Sequence, residues 1–383
     1  MKKYQIYGVG AALVDIEVVV TNEFLSTHKI DKGIMTLVDE ERQFELLAAL
    51  DSHHVKRSCG GSACNTIVAA SFFGSTSFYS AKVAADDDGR FFIDDLQATG
   101  VDFHNVQASS GVTGKCLVMI TDDAERTMNT FLGANLDLTS NEIDETHLVN
   151  SQWLYLEGYL VTDEPRTDVA VRAIEFAKAN QIKTSLSLSD PFVVQEFGDN
   201  LRKVIGNGID LLFCNSDEAK SFTNTHSNEA AVEQLKKYAK TFVITRGAGG
   251  SLAYDGTGLV QTPGVSANVV DTNGAGDMFA GAFLYAINAG HPTAFAAKFA
   301  NEAAARVVSQ FGPRIDSLEY QQIKHLFNIW LATSDRLSRY KNSIRILAKR
   351  RWVWDCRVAS LGYPENSQST VISREQVNCG NLM

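Results

Sequence analysis

Asp271-Thr272-Asn273-Gly274-Ala275-Gly276-Asp277 runs directly into Met278-Phe279-Ala280-Gly281-Ala282-Phe283-Leu284. A polar turn with two glycines and flanking carboxylates thus feeds an apolar, helix-forming segment. Gly274 and Gly276 lack Cβ, so the backbone can bend tightly and bring its N–H groups close to a ligand. Those groups lie where a helix begins, and their unpaired donors and the positive dipole end favour an anion. Asp277 is out of place in an anion cradle unless it takes a proton from a hydroxyl that attacks phosphorus. A bare G-x-G-D is more often a turn whose Asp caps the next helix. The length of the run and a second glycine site upstream weigh against that reading.

The second site is Cys59-Gly60-Gly61-Ser62-Ala63-Cys64-Asn65-Thr66, followed by the helix-like Ile67-Val68-Ala69-Ala70. Paired glycines admit close approach of a polyhydroxylated ligand, and the Asn65 amide offers hydroxyls both a donor and an acceptor. Alone, the pair would be only a turn with Ser62 or Asn65 near the helix cap.

With 383 residues and 45% apolar content, the chain can bury a large core. A net charge of −10 argues against a general nucleic-acid binder and an anionic membrane surface. The charge is uneven. Residues 335–383 hold nine Lys/Arg against four Asp/Glu, so this stretch is +5 and the remainder −15. Six cysteines without a C-x-x-C suggest reduced thiols and a cytoplasmic setting. Cys59 and Cys64 read as small packing residues. Met1-Lys2-Lys3-Tyr4 leads into a strand-like run rather than a signal segment, and no apolar stretch reaches a membrane span. His53-His54 lack partners at metal-ligand spacing, so no metal cage is implied.

Ile6 to Val9 reads as a buried strand leading to Gly10-Ala11-Ala12-Leu13-Val14-Asp15, with Asp15 at its end. Residues 16–40 read as strands of a small added sheet, and 40–50 as a helix. Thr76 to Val83 is strand-like and Gly89 to Thr99 helical. Lys115 to Thr121 and Arg126 to Phe131 form a hairpin with the charged tip Asp122-Asp123-Ala124-Glu125. Beyond residue 150, strands at 153–156, 182–188, 210–214, 242–245 and 251–254 alternate with helices at 168–179, 229–238, 278–289 and 293–310. That alternation predicts an α/β fold, its mostly parallel sheet covered on both faces and its ligand edge at the strands' carboxyl ends. The pattern breaks near residue 335, where basic residues, Trp352, Trp354 and a polar end follow. We expect a domain over 1–333 with a lid from about 16–40 and 112–133, and a non-catalytic appendage over 334–383.

Together the two glycine runs resemble the diagnostic motifs of the ribokinase-like (PfkB) carbohydrate and nucleoside kinases, over roughly residues 4 to 330. The resemblance implies a ribokinase-like fold with a β-sheet lid, ATP and Mg²⁺ as cofactors, and a small-molecule nucleoside or sugar as substrate. It assigns Asp277 as base, with Gly274, Ala275 and Gly276 as the anion hole. Asn215-Ser216-Asp217-Glu218 resembles the family's N-x-x-E motif, with Asn215 and Glu218 ordering Mg²⁺ through water; the same spacing is also a capping box. Asp15, after Leu13 in the first loop, aligns with an Asp that binds sugar hydroxyls, with Gly60, Gly61 and Asn65 beside it. Thr245, Gly247 and Gly250 resemble the loop bordering ATP, and Asn301 the helix beside the base. Arg126 aligns with a lid arginine that swings onto phosphate.

Gly8 to Asp15, Lys32-Gly33-Ile34-Met35-Thr36-Leu37-Val38-Asp39 and the Asp-Thr-Asn form of the anion-hole run resemble the adenosine kinase branch. Tyr159, after a strand, is placed either to stack on a purine or to pack in the core. Similar adenosine kinases often carry Asn where this chain has Ala11. The expected reaction is therefore phosphorylation of a nucleoside primary hydroxyl, adenosine to AMP. A sugar kinase, or a non-catalytic nucleoside-binding regulator, is the alternative. The oligomeric state stays open between monomer and homodimer.

Overall fold

The computed structural model describes residues 2–50, 55–103, 107–108, 110–123 and 125–330. The chain opens with β1 (Tyr4–Val9), β2 (Leu13–Val19), α1 (Asn22–Thr27), β3 (Met35–Leu37) and α2 (Glu40–Ala49). Next come β4 (Val55–Gly60), α3 (Ser62–Phe73), β5 (Ser77–Ser80), β6 (Val83–Ala84), α4 (Asp87–Ala98), β7 (Val101–Phe103) and β8 (Gln107–Ala108). The middle holds β9 (Thr113–Ile120), β10 (Arg126–Gly133), α5 (Glu145–Val149), β11 (Ser151–Glu157), α6 (Glu164–Ala179), β12 (Lys183–Ser187) and α7 (Pro191–Ile205). The last part is β13 (Ile209–Asn215), α8 (Ser216–Thr223), α9 (Asn228–Leu235), β14 (Ala239–Thr245), β15 (Ser251–Tyr254), β16 (Leu259–Thr262), α10 (Ala275–Asn288) and α11 (Thr293–Val307).

Nine strands form the larger sheet in the order β16-β15-β14-β13-β12-β11-β1-β5-β7. Every pairing from β14 to β7 is parallel. The β14–β15–β16 edge is antiparallel. Thr245–Gly250 is too short for a crossover, so it closes a hairpin there instead of continuing the parallel order.

Strand alternation splits the side chains between two faces. Leu154, Leu156, Leu186 and Phe242 join Val169, Ala173, Leu201, Phe222 and Val232 in one apolar core with α6–α9. Their neighbours turn the other way. Gly8 lies against Ile67 of α3, the Thr66 hydroxyl donates to Tyr155 Oη at 3.1 Å, and Phe213 meets Phe283 of α10 edge-on. Asp163 and Asp190 cap α6 and α7, each with proline in the first turn, where no N–H is needed. This is an α/β fold with helices on both faces, as the alternation predicts.

The smaller sheet has five strands in the order β3-β10-β9-β2-β4. It starts at Leu13 and recruits Val55–Gly60, which no periodicity announces, while residues 22–27 form a helix, not a strand. Asp15 is therefore not the last residue of the first strand. β1 ends at Val9, and Asp15 sits inside β2, paired with Ser58 and Cys116. Residues 76–83, expected as one strand, divide between β5 and the separate β6. Contacts divide the chain after His325 into Met1–His325 and Leu326–Met383; of the second unit, residues 326–330 are described and helical. The expected appendage with Trp352 and Trp354, the hairpin-tip Ala124 and His53-His54 lie outside the described residues.

Candidate active site

Protein groups hold the loop after β1 on both sides. Ala11 N–H donates to Glu157 Oε1 at 2.7 Å, and the Ala11 carbonyl accepts from Tyr79 Oη at 2.8 Å. Asn135 takes both sides of Ala12, at 2.6 Å and 2.8 Å. Leu13 then packs with Ala11, Cys116, Val118 and Ile120 in the core of the smaller sheet. Two residues on stands Asp15, buried among protein.

The glycine pair makes room for this loop. A Cβ at Gly60 would fall 2.1 Å from the Asp15 carboxylate, and one at Gly61 2.4 Å from the Ala11 carbonyl oxygen. Gly61 also has φ +103°, a conformation that favours glycine. The close approach expected for a ligand is thus made first by the protein's own Asp15 and Ala11. Asn65, one turn into α3, is buried, hydrogen-bonds toward both Asp15 and Asp277, and keeps a buried Oδ1 without a partner among the described residues. Burial pushes the Asp15 carboxyl up to about 7; the Arg314 charge opposes this, Glu17 adds to it, and Arg126 and Asn65 oppose it.

Gly274 caps α10 with φ +70°, where a Cβ would strike Pro313 at 2.5 Å. Ala275 opens the helix, and a Cβ at Gly276 would meet nothing within 4 Å, so the first turn faces open space. Asp277 lies in that turn, and Ser62 Oγ donates to its Oδ1 at 2.7 Å. Removal from water pushes the Asp277 carboxyl up to about 7; the Ser62 bond works against this, and the charges of Glu157 and Asp15 add to it. The structure thus brings both glycine runs, 215 residues apart at Ser62 and Asp277, to one place.

Arg126 is no exposed hairpin residue. Its side chain is 9% exposed and its Nε lies 2.9 Å from Asp271 Oδ1, in the anion-hole run itself. Asp271 also accepts from Asn273 N–H and Gly312 N–H, each at 2.8 Å. Arg126 Nη2 is buried without a hydrogen-bond partner among the described residues, so a donor remains for an anion.

The expected nucleotide-side residues gather at the adjoining sheet edge. Asn215 ends β13 beside Thr245 of β14. Asn215 and Glu218 form a complete capping box: Asn215 Oδ1 accepts from Glu218 N–H, and Glu218 accepts from Asn215 N–H at 2.9 Å and Nδ2 at 2.6 Å. Burial pushes the Glu218 carboxyl up to about 7. Gly247 (φ +53°) faces open space, whereas Gly250 is crowded by Thr262 to Gly264. Asn301 Nδ2 donates to the Pro263 carbonyl at 3.1 Å, joining α11 to the same loop. Tyr159 is half-buried against the core, its hydroxyl 3.4 Å from Asp190, and feels the charges of Asp277, Glu157 and Glu218.

The contacts of four further residues at this site, and of the cysteine pair, are stated by no motif. Ser62 lies inside a quoted run, but its bond to Asp277 is invisible in sequence. Glu17 sits two residues past Asp15 on the same strand face, buried, with Oε1 unpartnered among the described residues. Arg314 reaches Asp95 at 3.1 Å and Cys59 at its carbonyl and its Sγ. Cys59 and Cys64 are buried free thiols 3.9 Å apart, packed as expected. Glu157 precedes Gly158-Tyr159 and is 1% exposed.

Residues 28–319 match the pfkB family carbohydrate kinase profile. Adenosine kinase 2 of Arabidopsis thaliana is 28% identical over 300 residues, covering 72% of this chain and 86% of that protein. The crystal structure of a probable sugar kinase protein from Rhizobium etli superposes with a TM-score of 0.79 at 30% identity, covering 85% of this chain and all of that one. The adenosine kinase structure from Sinorhizobium meliloti gives 0.76 at 32% identity, covering 82% and 96%. The two-sheet α/β body is thus shared with solved kinases, and this chain belongs to the pfkB family of carbohydrate kinases, as a ribokinase-like kinase of the adenosine kinase branch.

Proposed function

We propose that the protein transfers the γ-phosphoryl group of ATP to the primary hydroxyl of a nucleoside, converting adenosine to AMP. The observation that carries this reading is the junction at Ser62 and Asp277, where the acceptor-side glycine turn meets the helix-borne anion cradle. In this reading Asp15 and the unpartnered Asn65 Oδ1 hold acceptor hydroxyls, two of which a carboxylate can accept at once. Asp277 removes the proton of the attacking hydroxyl. Its carboxyl near 7 suits a base that works close to neutrality. The N–H groups of Gly274 to Gly276 and the free Nη2 of Arg126 take up the negative charge that spreads over the transferred group.

Mg²⁺ supplies charge neutralisation on the phosphates when bound. Both Glu218 oxygens already accept from Asn215, which suits contact through metal-bound water better than a direct bond. No cluster of three or more metal-ligating side chains occurs among the described residues. Thr245, Gly247, Gly250 and Asn301 border the nucleotide. The smaller sheet acts as the lid, from about residues 16–40 and 112–133, and 334–383 is an appendage outside the catalytic body. No helix among the described residues is long and apolar enough to cross a membrane, and we place the enzyme in the cytoplasm on its buried free thiols. The likeness to a probable sugar kinase supports a second reading, with a sugar as acceptor. Coupled ADP release over adenosine, inosine, ribose and fructose tests both. Adenosine giving the highest kcat/KM supports the first reading, and ribose or fructose doing so supports the second.

A further inference from the structure

Glu157 ends β11 at the sheet edge where the site lies, and it is 1% exposed. Its two carboxylate oxygens go to two different loops: Oε1 accepts Ala11 N–H at 2.7 Å and Oε2 accepts Ala63 N–H at 2.6 Å. Burial pushes its carboxyl up to about 7, the Ala63 and Ala11 bonds and the Arg166 charge oppose this, and no cation lies within ion-pair distance among the described residues. Gly10 leaves space for it, since a Cβ there would stand 2.7 Å from Glu157 Cδ. Ala11 leads by four residues into Asp15, and Ala63 precedes Asn65 by two. A buried carboxylate is costly to retain unless its oxygens are fully used.

We propose that Glu157 is a positioning residue that locks the loop after β1 onto the first turn of α3, and so holds Asp15 and Asn65 in register for the acceptor hydroxyls. The proposal rests on the acceptor-kinase reading above. Only an ionised carboxylate accepts from two separate N–H groups with one oxygen each. Glutamine keeps the shape but turns an NH₂ toward one of them, and aspartate keeps the charge but is too short to span both loops.

The same group acts on the base. Asp277 faces Ser62 and Asn65 of α3, Asp15 of β2, Glu157 and Tyr155 of β11, and Tyr159. Glu157 in turn faces Tyr79, Tyr155, Tyr159 and Arg166. Its negative charge helps hold the Asp277 carboxyl up.

The test compares Glu157→Gln and Glu157→Asp with the wild type, using steady-state kinetics in both substrates from pH 5 to 9 and hydrogen exchange of the free protein. Both variants should raise the acceptor KM at least about tenfold and leave the ATP KM within about twofold. Both should speed exchange at the Ala11 or Ala63 amide. Glu157→Gln alone should move the acid limb of kcat to lower pH, by about half a unit or more. Glu157→Asp should keep the wild-type limb, which a purely structural role would not separate. Acceptor KM and exchange unchanged in the variants would overturn the proposal. If Glu157→Gln does not fold, Glu157→Asp decides through the same KM split and exchange. If the wild type phosphorylates no nucleoside or sugar, the functional reading fails, and exchange at Ala11 and Ala63 still decides for or against the lock.

Discussion

Asp277→Asn separates chemistry from folding, because it removes a charge and almost nothing else. The Asp277 carboxyl moves from 3.8 to about 7 on folding, chiefly by burial. At about 1.4 kcal/mol per unit, three units correspond to at most about 4 kcal/mol between the charged and neutral forms. Relaxation and water entry bring the expected cost to about 1–4 kcal/mol. The sign follows from proton binding. The folded state holds this proton more tightly than the unfolded chain, so the penalty is absent below about pH 4 and complete above about pH 7. Asparagine keeps the Oδ1 that accepts from Ser62 and never carries the charge. The variant should therefore melt higher than the wild type near pH 8, and the advantage should vanish toward pH 4. Turnover should instead fall by about 10² to 10⁴-fold, the range for losing a positioned base, with nucleoside and ATP affinity nearly unchanged. Wild-type kcat should itself fall as pH drops through about 7, where Asp277 takes up its proton. The assay pairs kcat at saturating substrates and calorimetric affinities with thermal unfolding across pH. A folded Asp277→Asn protein with turnover within threefold of wild type would remove Asp277 from the mechanism. A variant less stable than wild type near pH 8 would refute the burial argument.

Asp15→Ala should weaken the acceptor by about 2–4 kcal/mol, from lost charge-assisted hydrogen bonds. Calorimetry showing intact acceptor affinity but poorer ATP affinity would invert the assignment of the two sides. Gly274→Ala forces a side chain into φ +70° and onto Pro313 at 2.5 Å. It should cost at least about 1–2 kcal/mol and lower turnover more than acceptor affinity; an unchanged melting temperature with full turnover would contradict the cradle. A chain ending at Thr333 should stay soluble and keep turnover within about threefold, since the charge balance and periodicity both change near residue 335. Loss of activity or large aggregates by light scattering would place the tail within the folded enzyme.

What could be read from the sequence was local. The run 271–277 announced a turn and a helix start because glycines and an apolar helix follow one another within fourteen residues. The alternation beyond residue 150 announced the larger sheet for the same reason. β4 escaped because Val55-Lys56-Arg57-Ser58 is polar and largely exposed, so no buried face marks it. α7 escaped because Phe197 departs from helical geometry midway, next to Gly198, and interrupts the period. Asn215 and Glu218 were legible as a capping box, which the structure forms; the proposed outer contact to metal-bound water uses the same two side chains at the same spacing. The partners that shape the site were not legible at all. Glu157 reaches Ala11 across 146 residues, Arg314 reaches Cys59 across 255, and Arg126 meets Asp271 from the other sheet. Such contacts follow from how the strands are ordered, which no stretch of sequence states on its own. The glycine pair shows the opposite case: its need for space was plain, but what fills that space is Asp15 and Ala11.

The measurement that bears most directly on the central claim is the fate of a labelled γ-phosphate. The full chain is incubated with γ-³²P-labelled ATP, Mg²⁺ and adenosine, and the products are separated with Asp277→Asn run in parallel. The account predicts label in AMP at the 5′ position, formed in step with ADP and lost in the variant. Label appearing only as inorganic phosphate, or in AMP equally with the variant, would contradict it.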